Sequence, residues 1–561
     1  MERNSEEVDK RKETVKKLTK IPDDEVQKKL RISYDGLIHE EREIFLDIAC
    51  FFIGMDKNIA CYIWDGSDFS PKAGIENLRL KSLVKIGEEN ELKMHDQLRD
   101  LGREIVRQES LKELGERSRL WLHDEAWEVL STKTGTRKVE GLYFNFSSPN
   151  NQCLISEGFA TMTKLRLLQV EHAKVSGKFV HSFSELRWLS WKRCPMNFIP
   201  SNLRKLCVLN LSYSYITESW MGWNYIKVAE NLKVLDLSGC DKISRIPEFS
   251  ANLPLEVLTL RYCTRLATID TFIGHLKRLV KLDIYCCKSL MHLPKLPSSL
   301  EYLNASRCKM KSLPTLSNLE NLEVLCLDRC ESLVEIPTTI NALTRLKSLS
   351  LDQCHHLQYI PRLPSGLKSL KANYCTYLRE ISAFLDLRNL EELCLNCCFS
   401  LTKIESLEGL NSLQQFEINY CRSLRKLPKL QGSKELRYLE FNDKVSLFEI
   451  EGLEGLYSLE KLIIEDCHLL RVIGNLSDLK NLVCIKILNC RKLSEIEGLE
   501  GLYSLEELII KDCHSLRIIP NLSDSKNLVC IKILNCRKLS EIEGLEGLYS
   551  LEELIIRSAI Y

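Results

Sequence analysis

Twenty-four cysteines occur in the 561-residue chain, and most of them follow a fixed spacing. Between Cys240 and Cys421, nine of them recur at intervals of 21 to 24 residues. Thiols at such regular spacing could ligate metal ions, form disulfides or fill a buried column. The same slot of the pattern holds fourteen cysteines: Cys194, Cys240, Cys263, Cys287, Cys308, Cys330, Cys354, Cys375, Cys398, Cys421, Cys467, Cys490, Cys513 and Cys536.

Geometry favours the buried column. Side chains on stacked coils run parallel and stay about 4.8 Å apart. This spacing exceeds the usual Cβ–Cβ distance in a disulfide, and a parallel column does not converge as zinc ligands must. We therefore predict free, buried thiols and no metal site. Four cysteines outside the slot are expected to face solvent, where they could be redox targets: Cys286, Cys326, Cys394 and Cys397.

Other chemistry is not indicated. No nucleophile–base pair, metal cluster or Gly-x-x-x-x-Gly-Lys-Ser/Thr loop stands out, so we predict that the chain is not an enzyme. Its 78 basic and 77 acidic residues give a net charge of +1, which does not suggest nucleic acid or a membrane surface as a partner. It has no apolar leader and no apolar run approaching about 18 residues, which predicts a cytoplasmic or nuclear location.

The cysteine spacing belongs to a longer repeat. LEVLCLDRCESLVEIP from Leu322 and LKSLSLDQCHHLQYIP from Leu346 share the form L-x-x-L-x-L-x-x-C-x-x-L-x-x-I-P. The leucines of L-x-L point to the same side of a short strand, and stacked strands form a parallel sheet with the leucines inside. This is the leucine-rich-repeat signature. It predicts an α/β fold: a leucine-rich-repeat solenoid with a concave parallel sheet over 137–561, in about 18 repeats of 20–26 residues.

The final repeats are duplicated. LSEIEGLEGLYSLEELII begins at Leu493 and again at Leu539, 46 residues later, and a close variant begins at Leu447. Because this surface repeats every two coils, it offers little chemical variation for recognising one particular partner. We therefore place partner specificity in Leu232–Cys421, where Tyr and Arg are the residue types that anchor interfaces. The predicted partner-binding residues are Arg261, Tyr262, Tyr285, Tyr302, Arg307, Asp328, Arg329, Asp352, Tyr374, Asn419 and Tyr420.

The first part of the chain lacks the repeat. Residues 1–29 are charge-dense and are predicted to form a solvated helix. Residues 30–136 hold a buried helix in EREIFLDIACFF, a hairpin in LVKIGEENELKMHD and an amphipathic helix in Glu91–Ser110. Helices followed by a hairpin predict a small α-helical winged-helix domain before the solenoid. VEGLYFNF (Val139–Phe146) is expected to be the strand that caps the solenoid.

Several of these segments also resemble consecutive landmarks of one family. LRISYDGL, EREIFLDIACFF, MHDQLRDLGREIVRQES, RSRLWLHDEAWEVL and TGTRKVEGLYFNF resemble plant intracellular immune receptors. The resemblance is to the class of these receptors that has a Toll/interleukin-receptor-like domain, a nucleotide-binding domain and leucine-rich repeats. Measured against this class, the chain is expected to lack the Toll-like domain and the phosphate loop. Residues 1–29 then correspond to a helical remnant of the nucleotide-binding region.

The resemblance implies a function and a nucleotide motif. Met94, His95 and Asp96 match the family's Met-His-Asp motif, whose histidine lies near the β-phosphate of ADP; full-length relatives bind ADP or ATP. For this chain alone we favour a simple helix start, with Asp96 as the cap, His95 exposed and no bound nucleotide. Implied partners are a pathogen effector or guarded host protein, and an intramolecular nucleotide-binding domain. The alternative is a generic repeat adaptor, such as a ubiquitin-ligase substrate receptor.

Overall fold

The computed structural model describes residues 24–67, 69–146, 153–177, 179, 183–199, 203–382, 384, 386–404, 407, 409–425, 427, 430, 432–442 and 447–557. Residues 1–23 of the predicted N-terminal helix lie outside this set. The chain divides into two compact units, Met1–Thr259 and Leu260–Tyr561. The division predicted from the sequence, between residues 136 and 137, stays a prediction.

Helices and a hairpin form the beginning of the first unit, which confirms a winged-helix fold. A short antiparallel pair, β1 (Lys85–Ile86) and β2 (Leu92–Lys93), forms the wing between the fourth and fifth helices. The second helix continues into a π-helical turn, Ile48–Phe52. The helices are α1 (Asp24–Asp35), α2 (His39–Asp47), α3 (Lys57–Asp65), α4 (Pro71–Leu80), α5 (Asp96–Glu109) and α6 (His123–Thr132).

Local chemistry explains where these helices begin. The Asp56 carboxylate accepts the backbone N–H groups of Asn58 and Ile59 at 2.7 and 3.3 Å, so α3 begins directly after it. Pro71 occupies the first turn of α4, where a missing N–H costs nothing. Ile44 and Phe52, at opposite ends of the predicted buried helix, are both fully buried.

The first unit continues as parallel coils. The predicted capping strand is present as β4 (Gly141–Asn145) and is preceded by a short strand, β3 (Arg119–Leu120), which pairs with it. Two short strands, β5 (Cys153–Ile155) and β7 (Lys174–Ser176), pair separately, and α7 (Trp223–Ile226) lies between coils. The main strands pair in the order β4 (Gly141–Asn145), β6 (Leu167–Glu171), β8 (Trp188–Lys192), β9 (Val208–Asn210), β10 (Val234–Asp236) and β11 (Val257–Thr259).

The second unit is built of the same coils. Each long-sheet strand pairs in parallel with the next at equal register, for example Leu325 with Leu349, and these leucines are fully buried. The strands are β12 (Lys281–Asp283), β13 (Tyr302–Asn304), β14 (Val324–Cys326), β15 (Ser348–Ser350), β17 (Ser369–Lys371), β19 (Glu392–Cys394), β21 (Gln415–Glu417), β22 (Tyr438–Asn442), β24 (Lys461–Glu465), β26 (Cys484–Leu488), β28 (Glu507–Lys511), β30 (Cys530–Leu534) and β32 (Glu553–Arg557).

On the other side of these coils, two-residue strands form where the template ends in isoleucine. They pair in parallel in three groups, so this side is extended backbone. The groups are β16 (Tyr359–Ile360), β18 (Glu380–Ile381) and β20 (Lys403–Ile404); β23 (Glu449–Ile450), β25 (Val472–Ile473) and β27 (Glu495–Ile496); and β29 (Ile518–Ile519) and β31 (Glu541–Ile542). The leucine-rich-repeat prediction is confirmed.

All fourteen slot cysteines are free and buried, as predicted. In the middle coils the thiol donates to a carbonyl of the preceding coil: Cys330 to Ala305 O at 3.2 Å and Cys354 to Leu327 O at 3.1 Å. Burial raises the pKa of the Cys330 thiol to about 12. In the duplicated coils the corresponding bond is longer, 3.9 Å from Cys490 to Ile464 O.

The solvent-facing prediction is wrong for three cysteines. Cys286, Cys394 and Cys397 are buried, and only Cys326 of the predicted four is partly exposed. Each buried thiol lies at the same register as longer side chains of the two neighbouring coils. The flanking pairs are Tyr262 and Arg307 around Cys286, Lys371 and Glu417 around Cys394, and Tyr374 and Tyr420 around Cys397.

Candidate functional site

A buried charge network joins the winged helix to the first coils within the first unit. Asp47 ends α2 and is fully buried. Arg166, just before β6, donates to both of its carboxylate oxygens, at 2.7 and 2.9 Å. Arg119 in β3 donates to Oδ1 at 2.8 Å, and the indole of Trp64 donates to Oδ2 at 2.9 Å. The carboxylate therefore has four donors, which is the condition under which a buried charge is tolerated.

The pKa of Asp47 reflects this balance. Burial by itself would raise it, but the guanidinium groups of Arg166 and Arg119 outweigh burial, so the pKa lies below its ordinary value. Glu43 and Glu140 complete the network, with Glu43 2.7 Å from Arg119 and Glu140 2.7 Å from Arg166. Each carboxylate of the network is paired with at least one guanidinium group, so the network ties the helices to the coils.

A column of apolar residues extends the same contact. These residues occupy the strand position that should face solvent, yet all are buried and belong to one core cluster with Phe52 and Trp64. The rings of Phe52 and Trp188 meet edge to face at 5.0 Å. The winged helix therefore covers the solvent face of these coils. The sequence signal for this surface is a run of bulky apolar residues at one register: Leu167, Trp188, Val208, Val234 and Val257.

Helix α3 adds polar contacts at the far end of this surface. The Tyr62 hydroxyl donates to Glu256 Oε2 at 2.6 Å, and the Lys233 ammonium lies 5.0 Å from the centre of the Tyr62 ring. Burial and the bond to Glu256 both raise the pKa of Tyr62. A neighbouring cleft of about 520 Å³, lined by Arg137, Lys164 and the Arg166–Glu140 pair among others, opens beside the network.

The Met-His-Asp residues lie at the start of α5. Met94 packs against the core cluster, whereas His95 and Asp96 are exposed. His95, not Asp96, is the cap: its Nδ1 accepts the backbone N–H of Gln97 at 3.3 Å. Asp96 instead pairs with Arg99 at 2.6 Å in the first turn of the helix. A nucleotide role for this motif stays a prediction.

In the second unit, the predicted partner-binding residues lie on the solvent face of the sheet. Tyr262 and Tyr374 are 42% and 48% exposed, and the other nine are exposed or half-buried. The residue directly before each slot cysteine has a positive φ, for example 59° at Tyr262 and 60° at Tyr374. Only Asn, Asp and Gly adopt this conformation readily, and the repeat template did not reveal it.

Three of the predicted residues also have a structural task. Asp328 accepts the backbone N–H of Asp352 at 3.0 Å, and Asp352 accepts that of Asn373 at 2.7 Å. The same bond recurs on the next coils: Asn373 accepts the N–H of Asn396, and Asn396 accepts that of Asn419. Asn419 in turn accepts the N–H of Asn442 at 2.8 Å. These side chains thus form a ladder of hydrogen bonds that satisfies the backbone N–H groups directly after each strand. Their oxygens are partly committed, so Asp328, Asp352 and Asn419 are weaker candidates for partner contacts than the tyrosines and arginines.

Among the described residues no group of three or more His, Cys, Asp or Glu side chains is placed to hold a metal ion. The helices in the described part of the chain include none long and apolar enough to span a bilayer.

Comparison with known proteins confirms the resemblance to plant disease-resistance receptors. Residues 39–110 match the family "Disease resistance protein Roq1-like, winged-helix domain". The chain is 32% identical over 295 residues to disease resistance protein RUN1 of Vitis rotundifolia, covering 47% of this chain and 22% of that protein. It is 29% identical to TMV resistance protein N of Nicotiana glutinosa and 32% identical to RPP2A of Arabidopsis thaliana, covering 56% and 58% of this chain and 27% of each protein. The chain thus spans about a quarter of these relatives.

Solved structures of repeat proteins are similar as well. The leucine-rich-repeat protein LIC12759 of Leptospira interrogans is 19% identical with a TM-score of 0.41, covering 74% of this chain and 93% of that one. YopM of Yersinia enterocolitica is 19% identical with a TM-score of 0.37, covering 70% and 74%.

Proposed function

We propose that this chain is the recognition and regulatory part of a plant disease-resistance receptor. It senses a pathogen effector, or a host protein that the effector targets, through the solvent face of the sheet in the middle coils. The chain itself catalyses no reaction in this proposal. It works in the cytoplasm or nucleus and contributes to defence signalling together with a nucleotide-binding domain, whose ADP or ATP would lie near His95.

One contrast along the sheet carries this proposal. Where the winged helix packs, the solvent-facing register holds Trp188, Val208 and Val234, all buried. In the second unit the same register holds Lys281 and Tyr302, both half-buried, and the tyrosines that precede slot cysteines include the exposed Tyr262 and Tyr374. This contrast supports a regulatory contact and a recognition surface on different coils. The matched winged helix also favours a receptor over a ubiquitin-ligase adaptor.

Genetic complementation tests the proposal. Plants in which the gene is disrupted should lose resistance to at least one pathogen strain, and the wild-type gene should restore it. A Tyr262→Ala, Tyr374→Ala, Tyr420→Ala triple variant should accumulate normally, because the inward leucines are untouched, yet fail to restore resistance.

The duplicated coils offer a matched control, because they carry exposed tyrosines outside the strands. Changing Tyr457, Tyr503 and Tyr549 to Ala should leave resistance intact. If the first triple variant restores resistance, and deleting residues 447–561 from a chain that still folds abolishes it, recognition lies in the duplicated coils instead. Unchanged resistance in the disrupted plants against every strain tested, with the chain recovered on a ubiquitin ligase, would favour the adaptor.

A further inference from the structure

An arginine–tyrosine patch lies on the solvent face at the beginning of the second unit. Its centre is Tyr285, whose ring lies between two guanidinium groups: Arg261 at 4.8 Å and Arg307 at 5.7 Å from the ring centre. Tyr262 meets Tyr285 edge to face at 5.3 Å, which holds both rings in place. The whole patch consists of Arg261, Tyr262, Lys281, Tyr285, Tyr302 and Arg307.

The patch carries positive charge that its own acid does not neutralise. Asp283 is buried and pairs with Arg261 at 3.2 Å. Within the described part of the chain, neither Arg307 nor Lys281 has an ion pair, and the Lys281 ammonium lies 5.0 Å from the centre of the Tyr302 ring. Arg329, exposed on the next coil, likewise has no ion pair there. Four successive coils therefore each present one cation.

A guanidinium stacked on a ring keeps its N–H edge free in a fixed orientation. That edge matches a carboxylate, which it can bind through two parallel hydrogen bonds at little cost in side-chain entropy. Arginine and tyrosine are also the types that dominate binding energy at protein interfaces. The patch is thus preorganised for an acidic ligand with some apolar surface.

Charge further along the sheet limits the length of that ligand. Glu417 and Glu440 occupy solvent-facing positions of later coils. A long polyanion such as RNA, following the sheet, would meet these carboxylates, whereas a short acidic stretch of a protein would not. This asymmetry favours a peptide segment.

We propose that the arginine–tyrosine patch binds a short acidic segment of the partner protein; this inference rests on the proposed recognition function and adds the partner's chemistry. Arg307 binds a carboxylate of this segment, and the tyrosine rings cover the neighbouring side chains.

Fluorescence anisotropy with the full chain tests this. The probe is a labelled peptide of about ten residues, alternating Glu and Ser, and its twin has Gln for Glu. The Glu peptide should bind, and binding should weaken from about 50 to about 300 mM salt. Arg307→Glu should weaken binding on the order of tenfold or more, and Arg307→Lys should weaken it less. The matched control, Lys511→Glu at the register of Arg261 in the duplicated coils, should change nothing.

Equal binding of the Gln peptide, or full binding by Arg307→Glu, would overturn the proposal. Tighter binding of an RNA of about ten nucleotides, with the same dependence on Arg307, would assign the patch to nucleic acid instead. If the Glu peptide fails but the tyrosine variants still abolish resistance in plants, the recognition function stands and only the acidic-segment inference fails.

Discussion

The Asp47 carboxylate and the Arg166 guanidinium form a two-bond ion pair, 2.7 and 2.9 Å long, between the winged helix and the first coils of the first unit. Both side chains are at least nine-tenths buried. The pair lies 119 residues apart in sequence, so it forms only once both elements have folded. It therefore couples the position of the helices to the coils.

Removing Arg166 should destabilise the first unit. Arg166→Ala leaves Asp47 buried with one arginine, so we expect a loss of roughly 3 kcal/mol in the free energy of unfolding. All seven tryptophans lie before residue 224, so tryptophan fluorescence during urea unfolding reports on this unit. The control, Lys205→Ala, breaks an exposed pair with Glu185 and should cost less than about 1 kcal/mol. Equal losses of unfolding free energy in the two variants would show that the buried Asp47–Arg166 pair contributes no more than an exposed pair.

The same network should make the first unit sensitive to acid. Because the folded-state pKa of Asp47 lies below its ordinary value of 3.8, its contribution is present above that value and is lost as the pH falls through the folded-state pKa. Asp47→Asn should be less stable at neutral pH and should lose less further stability below about pH 4. Urea unfolding followed by tryptophan fluorescence over this range measures both. Parallel pH profiles of wild type and variant would disprove the assignment.

Thiol reactivity should follow burial and not register alone. Cys326 is partly exposed and should react with a thiol reagent before Cys330 or Cys394, which are buried. Burial raises the pKa of Cys394 to about 12, which further lowers its thiolate fraction. Cys326→Ser should remove one fast-reacting thiol, and Cys394→Ser should remove none. Rapid reaction of the slot cysteines in the native chain would refute the inward column.

Changing a slot cysteine should cost stability. Cys330→Ser places a more polar hydroxyl in a fully buried site, and we expect a loss on the order of 1–2 kcal/mol. The same change at Cys326 is the matched control, because that side chain is partly exposed, and should cost less. Urea unfolding followed by circular dichroism measures the difference. An unaffected Cys330→Ser variant would mean that the slot accepts a hydroxyl as readily as a thiol.

Stability should depend on which side chain occupies the positive-φ position before a slot cysteine. Gln353 has φ 61° directly before Cys354 and lies outside the arginine–tyrosine patch. Gln353→Asn should stabilise the second unit by about 0.5–1 kcal/mol, whereas Gln353→Val should destabilise it by about 1–2 kcal/mol. Circular dichroism during urea unfolding again provides the measurement. A valine variant as stable as the asparagine variant would show that the backbone relaxes away from this conformation.

The chain alone should bind ADP no more tightly than about millimolar. The sequence has no Gly-x-x-x-x-Gly-Lys-Ser/Thr loop to hold the phosphates, and the Nδ1 of His95 already accepts the N–H of Gln97. Titration calorimetry with ADP, on wild type and on His95→Ala, measures the affinity. Micromolar affinity that disappears in the variant would show that the motif binds nucleotide without the loop.

The sequence by itself determined the repeat, the inward leucines, the buried thiols and the wing. Each depends on spacing within one coil or one hairpin, so a local pattern such as Leu325-x-Leu327 is enough to assign it. The burial of Cys394 needed the structure, because it depends on side chains of the neighbouring coils. The cap at His95 needed it too, because it depends on the extended backbone at that residue. The Asp47–Arg166 pair and the apolar surface under the winged helix were decided only by tertiary structure. Their partners are far apart in sequence, and no local period brings a carboxylate in a helix to an arginine in a coil.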